Sequence, residues 1–147
     1  MATKRTASAV WNGTGLEGNG TLNAPSKFFD NTPYSFKTRF QNEDGKLGTN
    51  PEELIAAAHA GCFAMALSFA IVEAGFTADE LNVKAAVVLD AVEGGFGITG
   101  IALHLDGKVT GMTEAKFHAL AEGAKAGCPI SKALSSVPIT LETKFHA

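Results

Sequence analysis

Two cysteines, Cys62 and Cys128, are the side chains of this 147-residue sequence best suited to nucleophilic or redox chemistry. Cys62 lies in an alanine-rich run, where a lone cysteine is typically a small buried hydrophobic residue without reactivity. Cys128 precedes Pro129 at or near the start of a predicted helix, where unpaired N–H groups and the helix dipole favour a thiolate. A simple packing residue at a helix junction would show the same pattern. The thiols form a redox pair only if the fold brings them together, which a separation of 66 residues does not establish.

Arg39 is the candidate cation for such a site. The sequence has two arginines, and the other, Arg5, lies close to the N-terminus. Only Arg39 is therefore placed to offer a planar, permanently charged group to a thiolate or an oxyanion. A solvated charge at the end of a strand is the alternative. Glu52 could orient the arginine, although an acidic residue in the first turn of a helix also stabilises that helix by itself. On a straight helix Glu52 lies about 15 Å from Cys62, so contact would require a bend or a partner chain.

His59 raises two further kinds of site. It precedes Cys62 by three residues, which places two metal-competent side chains on adjacent turns of one helix face. A zinc site needs three or four ligands, and Cys128, His104 or His118 would have to be recruited from afar, so we expect no metal. A cysteine hydrolase with His59 as base is an alternative, although a base on the same helix is poorly placed to be oriented by a third group. The sequence contains no P-loop, GxGxxG or serine elbow, and no cofactor is expected.

The hydrophobic patterns predict an α+β fold with helices against an antiparallel sheet. Alternating residues indicate strands at 7–11, 34–40, 81–89, 99–105 and 139–145. Asn50 and Pro51 mark the start of a long helix that Gly75 ends, Thr113 caps a second helix, and Pro129 starts a short third one. The long helix is expected to carry one apolar stripe, formed by Ala58, Cys62, Met65, Phe69 and Val72.

The composition indicates one globular domain over residues 1–147. Hydrophobic residues make up 46%, and no repeat or linker divides the chain. Twelve basic against fifteen acidic residues give a net charge of −3 without a basic stripe, which argues against nucleic acid as a partner. Two cysteines and an N-terminus without an apolar leader segment favour a cytoplasmic protein with reduced thiols.

The run 54–72 has no charged residue and would span about 29 Å as a helix, close to the thickness of a membrane core. It is nevertheless rich in alanine and flanked by acidic residues, so we expect a buried central helix and no membrane partner. Because the helix is apolar on every face and one sheet covers only one side, a second copy of the chain is expected to cover the rest. The sequence therefore predicts an obligate homodimer.

Two strings resemble the signatures of the OsmC/Ohr family of hydroperoxide-reducing thiol proteins. The first is Thr49-Asn50-Pro51-Glu52-Glu53-Leu54-Ile55, followed by Ala57-Ala58-His59-Ala60-Gly61-Cys62-Phe63-Ala64-Met65-Ala66-Leu67. The second is Ala126-Gly127-Cys128-Pro129-Ile130-Ser131. The resemblance extends over nearly the whole chain, and His59, where Ohr-type proteins have an aromatic residue, makes OsmC-type proteins the more similar branch.

This resemblance implies an OsmC-like fold, with antiparallel sheets on a long central apolar helix in an intertwined homodimer, and active sites near the interface. It implies that Cys62 is the peroxidatic thiolate, that Cys128 is the resolving thiol, and that Arg39 and Glu52 are their charge partners. The thiolate would reduce organic hydroperoxides, and hydrogen peroxide more weakly, through a sulfenic acid and an intramolecular disulfide. An apolar pocket containing Phe63, Met65 and Phe69 would favour organic peroxides. The resemblance also suggests a dithiol reductant such as dihydrolipoamide.

A non-catalytic binding module, with both cysteines as packing residues, stays open beside the hydrolase as an alternative from the residues alone.

Overall fold

The computed structural model describes all 147 residues, which form two compact units, Met1–Pro51 and Glu52–Ala147. The N-terminal unit contains strands β1 (Ser8–Asn12), β2 (Asn19–Asn23) and β3 (Thr32–Tyr34) and helix α1 (Phe36–Phe40). The C-terminal unit contains helix α2 (Pro51–Glu73, which begins at the unit boundary), β4 (Glu80–Val92), β5 (Gly95–Lys108), α3 (Glu114–Gly127), α4 (Pro129–Ala133) and β6 (Ile139–His146). The order confirms the predicted α+β fold and adds the short helix α1.

In the N-terminal unit the three strands form an antiparallel sheet in the order β1-β2-β3. Gly20 of β2 lies under the rings of Trp11 and Tyr34, whose centroids are 5.4 Å apart. A β-carbon on Gly20 would come within 2.5 Å of the Tyr34 ring and 2.6 Å of the Trp11 ring. The missing side chain at position 20 therefore allows the two rings to pack against the sheet.

The prediction of a strand over 34–40 is wrong: the strand ends at Tyr34, and residues 36–40 form helix α1. Ser35 caps this helix: its hydroxyl accepts a hydrogen bond from the N–H of Thr38, and its N–H donates to the Thr38 hydroxyl. The aromatic residues that alternate along a strand are also four apart, and Phe36 and Phe40 meet on one helix face with centroids 4.8 Å apart. The Arg39 guanidinium lies 5.3 Å from the centre of the Phe40 ring. On the predicted strand these two neighbours would have pointed to opposite faces.

In the C-terminal unit β4 and β5 form the predicted antiparallel hairpin, while β6 pairs with β5 in parallel. The expectation of an antiparallel sheet throughout is therefore wrong at this edge. The cause is the connection between β5 and β6, which contains α3 and α4. A crossover of that length returns the chain to the end of the sheet at which β5 begins, so that β6 runs parallel to β5. A tight turn would instead reverse the chain and produce an antiparallel pair.

The core of the C-terminal unit lies between one face of α2, β5 and α3. Helix α2 buries every fourth residue, namely His59, Phe63, Leu67 and Ile71. They face Ile101, Leu103 and Leu105 of β5 and Phe117, Ala121 and Ala124 of α3. The stripe expected to be buried is instead largely on the surface of the chain: Met65, Phe69 and Val72 are 63%, 65% and 62% exposed. The pattern could not choose between faces because α2 is apolar all round.

Helix α2 ends as expected at Gly75, whose φ of +91° is a conformation that glycine adopts readily. The N–H groups of Gly75 and Phe76 donate to the carbonyls of Val72 and Ile71, which satisfies the last turn. By length and composition α2 could cross a membrane. One of its faces nevertheless forms the core of a packed unit, as the central helix of a soluble protein does.

Candidate active site

The structure brings Cys62 and Cys128 together within the C-terminal unit. Cys62 lies in the middle of α2 and is half-buried, and Cys128 lies between α3 and α4 and is fully buried. Both are free thiols, and their side chains are close enough for each thiol to change the pKa of the other. The sequence alone could not establish this proximity.

Cys128 is the N-cap of α4, as its position before Pro129 predicted. Its sulfur accepts hydrogen bonds from the N–H of Ser131 at 3.4 Å and from the Ser131 hydroxyl at 3.6 Å. Burial alone would raise the pKa of Cys128, but the hydrogen bonds from Cys62, from Ser131 and from the Ile130 N–H outweigh it and lower the pKa. This half of the pair is the more easily ionised one.

The pKa of Cys62 is shifted in the opposite direction. Burial raises its pKa first, and donation of its proton to Cys128 raises it further, while the N–H of Ile130 acts weakly in the other direction. A positive charge brought to Cys62 would lower the pKa of its thiol by favouring the thiolate.

His59 and Ser131 form a buried pair that the sequence did not predict. His59 is fully buried, and its Nε2 lies 2.7 Å from the Ser131 hydroxyl oxygen. Burial lowers the pKa of His59, so the ring is neutral at neutral pH. The sequence offered His59 as a metal ligand or a hydrolase base, and the ring nitrogen in fact bonds to the residue that holds Cys128. The only sequence signal for Ser131 was its place three residues after an N-cap.

Arg39 belongs to the N-terminal unit, where it lines a cavity of about 120 Å³. The other lining residues are Trp11, Gly15, Tyr34, Ser35, Phe36, Phe40 and Pro51. Glu52 is in the first turn of α2. Because α2 is continuous, Glu52 lies about 15 Å from Cys62 along the helix. The two thiols therefore lie close together without Glu52, and the roles expected for Arg39 and Glu52 rest on the resemblance.

The apolar pocket expected from Phe63, Met65 and Phe69 does not exist in this chain. Phe63 is fully buried in the core, whereas Met65 and Phe69 are exposed. Residues 63 and 65 are about 200° apart around a helix and thus face opposite ways. No group of three or more His, Cys, Asp or Glu side chains is arranged to hold a metal ion.

Comparisons with known proteins identify the family. A family model described as "OsmC-like protein" matches residues 43–143, which include all four candidate residues except Arg39. The chain belongs to this family. Peroxiredoxin OsmC of Escherichia coli K12 is 45% identical over 147 residues, which is the full length of both chains. Organic hydroperoxide resistance protein OhrB of Bacillus subtilis is 36% identical over 104 residues, covering 69% of this chain and 74% of its own.

Solved structures of OsmC-like and Ohr proteins share the fold. The crystal structure of OhrB from Bacillus subtilis matches with a TM-score of 0.73 at 30% identity, covering 95% of this chain and 98% of that one. An organic hydroperoxide resistance protein from Elizabethkingia anophelis matches with a TM-score of 0.69 at 26% identity. The OsmC-like fold and the class of enzyme, an oxidoreductase of the peroxidase type, are thus confirmed. The apolar α2 is the core helix of a soluble OsmC-like protein.

Proposed function

We propose that this chain reduces organic hydroperoxides, and hydrogen peroxide more weakly, through the paired thiols of Cys62 and Cys128. The observation that carries the proposal is the proximity of the two thiols, each of which changes the pKa of the other. A cysteine that attacks a peroxide becomes a sulfenic acid, and a second thiol in contact can convert it to a disulfide before further oxidation.

The electron and proton balance is simple. The electron pair of the Cys62 thiolate attacks one peroxide oxygen, the O–O bond breaks, and the alkoxide leaves as the alcohol after taking a proton. Cys128 then gives up its thiol proton and attacks the sulfenic sulfur of Cys62, the S–O bond breaks, and the departing hydroxide takes that proton and leaves as water. A dithiol such as dihydrolipoamide restores both thiols by two thiol–disulfide exchanges.

The first step needs Cys62 as a thiolate, whereas burial raises the pKa of its thiol. We assign the positive charge that favours the thiolate to Arg39, oriented by Glu52, since a guanidinium beside Cys62 lowers the pKa of its thiol. The family resemblance supports this role. It leaves open which chain of a dimer supplies the two residues.

The surroundings of Arg39 favour an organic substrate. Its cavity is walled by the rings of Trp11, Tyr34, Phe36 and Phe40. A guanidinium at an aromatic wall offers two donors to a peroxide oxygen and an apolar surface to an alkyl chain. Hydrogen peroxide gains only the first of these interactions.

We further propose that the active form is a homodimer of a single cytoplasmic domain. The exposed face of α2 with Met65, Phe69 and Val72 is an apolar surface of the kind that oligomers cover. A protein with two thiols in contact needs a reducing compartment to return to its dithiol form.

The test is a peroxidase assay with cumene hydroperoxide and dihydrolipoamide, with glutathione as a monothiol control and p-nitrophenyl acetate as a hydrolase control. Continuous peroxide loss that depends on the dithiol supports the proposal. Turnover of the ester alone would favour a cysteine hydrolase, and neither reaction would favour a binding module. The bond from His59 to Ser131 disfavours the hydrolase, because His59 Nε2 is occupied there.

A further inference from the structure

His59 is a fully buried polar residue on the core face of α2, in line with Phe63, Leu67 and Ile71. One ring nitrogen, Nε2, lies 2.7 Å from the Ser131 hydroxyl oxygen, and the other, Nδ1, has no hydrogen-bond partner. A buried polar atom without a partner costs free energy, so an apolar residue would pack here at a lower cost. The bond to Ser131 is therefore the feature of His59 that calls for an explanation.

The protons of this cluster can be assigned by counting. The Ser131 hydroxyl has one proton, and it donates that proton to the sulfur of Cys128 at 3.6 Å. With the hydroxyl assigned as the donor to Cys128, its oxygen accepts at the other contact, and we assign the proton of the neutral His59 ring to Nε2. Nδ1 is then an unpaired acceptor. Both hydrogen bonds point the same way, from His59 to Ser131 and from Ser131 to Cys128.

We propose that Ser131 is a catalytic hydrogen-bond donor that holds Cys128 as a thiolate for its attack on the Cys62 sulfenic acid, and that His59 is a positioning residue that fixes the direction of the Ser131 hydroxyl. This inference rests on the proposed peroxidase function. Without His59 the Ser131 hydroxyl can rotate, and it then donates its hydrogen bond to the Cys128 sulfur for a smaller fraction of the time. The Cys128 sulfur supplies the electron pair of the new S–S bond, the S–O bond of Cys62 breaks, and the departing hydroxide becomes water by taking up the proton that Cys128 released to the solvent when it ionised. His59 and Ser131 keep their protons throughout.

The other groups around the cluster are the same in each variant and in its matched control. Cys62 faces it from α2, and Lys125 of α3 and Lys132 of α4 line a cavity that also contains Ser131. Lys125 also pairs with Glu122 at 3.4 Å. Since none of them is substituted between a variant and its matched control, their charges cancel in the comparison.

The proposal predicts an effect that changes sign with pH. Loss of a donor to a thiolate raises the thiol pKa, which reduces the thiolate fraction at low pH. A thiolate of higher pKa is, however, the stronger nucleophile, with a Brønsted slope of about 0.4–0.5. For a rise of about one pH unit, Ser131→Ala should form the disulfide about threefold to fourfold more slowly at pH 6 and about threefold faster at pH 9.5.

The first readout is the thiolate absorbance at 240 nm in the Cys62→Ser background, where Cys128 is the only thiol. Ser131→Ala should raise the titration midpoint by about one pH unit. Ser131→Thr, which keeps the hydroxyl, is the matched control and should leave it in place. His59→Leu should raise the midpoint by a smaller amount, and His59→Gln, whose amide can donate to Ser131, should restore it. This titration needs no peroxidase activity, so it separates the present inference from the proposed function.

The second readout is the rate of disulfide formation, followed by rapid quenching and intact mass after one equivalent of cumene hydroperoxide. The inference requires that the Ser131→Ala and Ser131→Thr rates cross between pH 6 and pH 9.5. Equal midpoints in the titration would overturn it, and so would a Ser131→Ala rate that is slower by the same factor at every pH, because that is a packing defect. If His59→Leu does not fold, the comparison of Ser131→Ala with Ser131→Thr still tests the role of the Ser131 hydroxyl.

Discussion

The Cys62 and Cys128 side chains are close enough for each thiol to change the pKa of the other, although the two residues lie 66 positions apart in the sequence. Their proximity brings the middle of the apolar helix α2 to the N-cap of α4. The interaction lowers the pKa of Cys128 and raises that of Cys62. In the proposed reaction Cys62 therefore needs a cation to become a thiolate, and we assign that cation to Arg39.

Arg39→Lys should lower the rate of Cys62 oxidation by one to two orders of magnitude, about 1.4–3 kcal/mol, because a point charge replaces two parallel donors. Glu52→Gln should act in the same direction with a smaller effect. The measurement is the single-turnover rate with cumene hydroperoxide, and Arg5→Lys is the matched control. An Arg39→Lys protein with an unchanged rate and an unchanged thiol titration would show that Arg39 has no part in the site.

Gly20→Ala should disturb the aromatic wall of the Arg39 cavity, because its β-carbon would meet the rings of Tyr34 and Trp11 at 2.5 and 2.6 Å. We expect a loss of about 1–3 kcal/mol in unfolding free energy. The KM for cumene hydroperoxide should also rise more than that for hydrogen peroxide. Gly123→Ala is the control, since a β-carbon there meets no atom within 4 Å and Gly123 does not line the Arg39 cavity. If the ratio of the KM for cumene hydroperoxide to the KM for hydrogen peroxide were the same in both variants, the cavity would have no role in substrate selection.

The protein should be a homodimer whose unfolding midpoint rises with protein concentration, because association contributes to the stability of the folded state. Phe69→Glu places a charge on the exposed face of α2 and should favour the monomer, whereas Phe28→Glu changes an exposed residue of the N-terminal unit and should have little effect. Sedimentation equilibrium distinguishes the two. A folded, fully active monomer at micromolar concentration would contradict the proposed assembly.

Asp79 should make stability depend on pH in the acidic range. Its carboxylate accepts hydrogen bonds from the N–H and the hydroxyl of Thr110 at 2.8 and 2.9 Å, and these bonds lower its pKa. A pKa that is lower in the folded state adds stability above the unfolded value, and this stability is lost as the pH falls through the folded value. Asp79→Asn should therefore be less stable than the parent at pH 7 in urea unfolding. The difference should shrink at pH 3, and a difference that is constant with pH would exclude the ionised carboxylate as its cause.

Local signals predicted several helix boundaries correctly. Pro51 begins α2, Gly75 ends it, Thr113 caps α3 and Cys128 caps α4. Each depends on a few neighbouring residues whose backbone preferences are strong. The failures have a different origin. The spacing of the aromatic residues in 34–40 fits both the two-residue period of a strand and the helical period. The capping hydrogen bonds of Ser35 stabilise the helix.

Features that depend on distant contacts could not be predicted in the same way. The buried face of α2 is determined by β5 and α3, and no periodicity distinguishes it on a helix that is apolar all round. The parallel pairing of β6 depends on the path of the crossover. The His59–Ser131 bond joins residues 72 positions apart, so only the fold reveals it. The resemblance indicated the cysteine pair, whose proximity no local sequence pattern establishes.

Cys62→Ser should abolish peroxide consumption, because no other group performs the first attack. Cys128→Ser should permit one turnover and then stop with a sulfenic acid on Cys62, which dimedone traps. The two serine variants are each other's control, since both remove one thiol. Equal single-turnover activity in the parent and in Cys62→Ser would remove Cys62 from the reaction.

The most direct test of the account is the intact mass of the reduced protein after one equivalent of cumene hydroperoxide, followed by peptide mapping. The account predicts a loss of about 2 Da and one peptide pair that joins Cys62 to Cys128 within a chain. An unchanged mass, a stable gain of one oxygen in the parent protein, or a disulfide between two chains would contradict it.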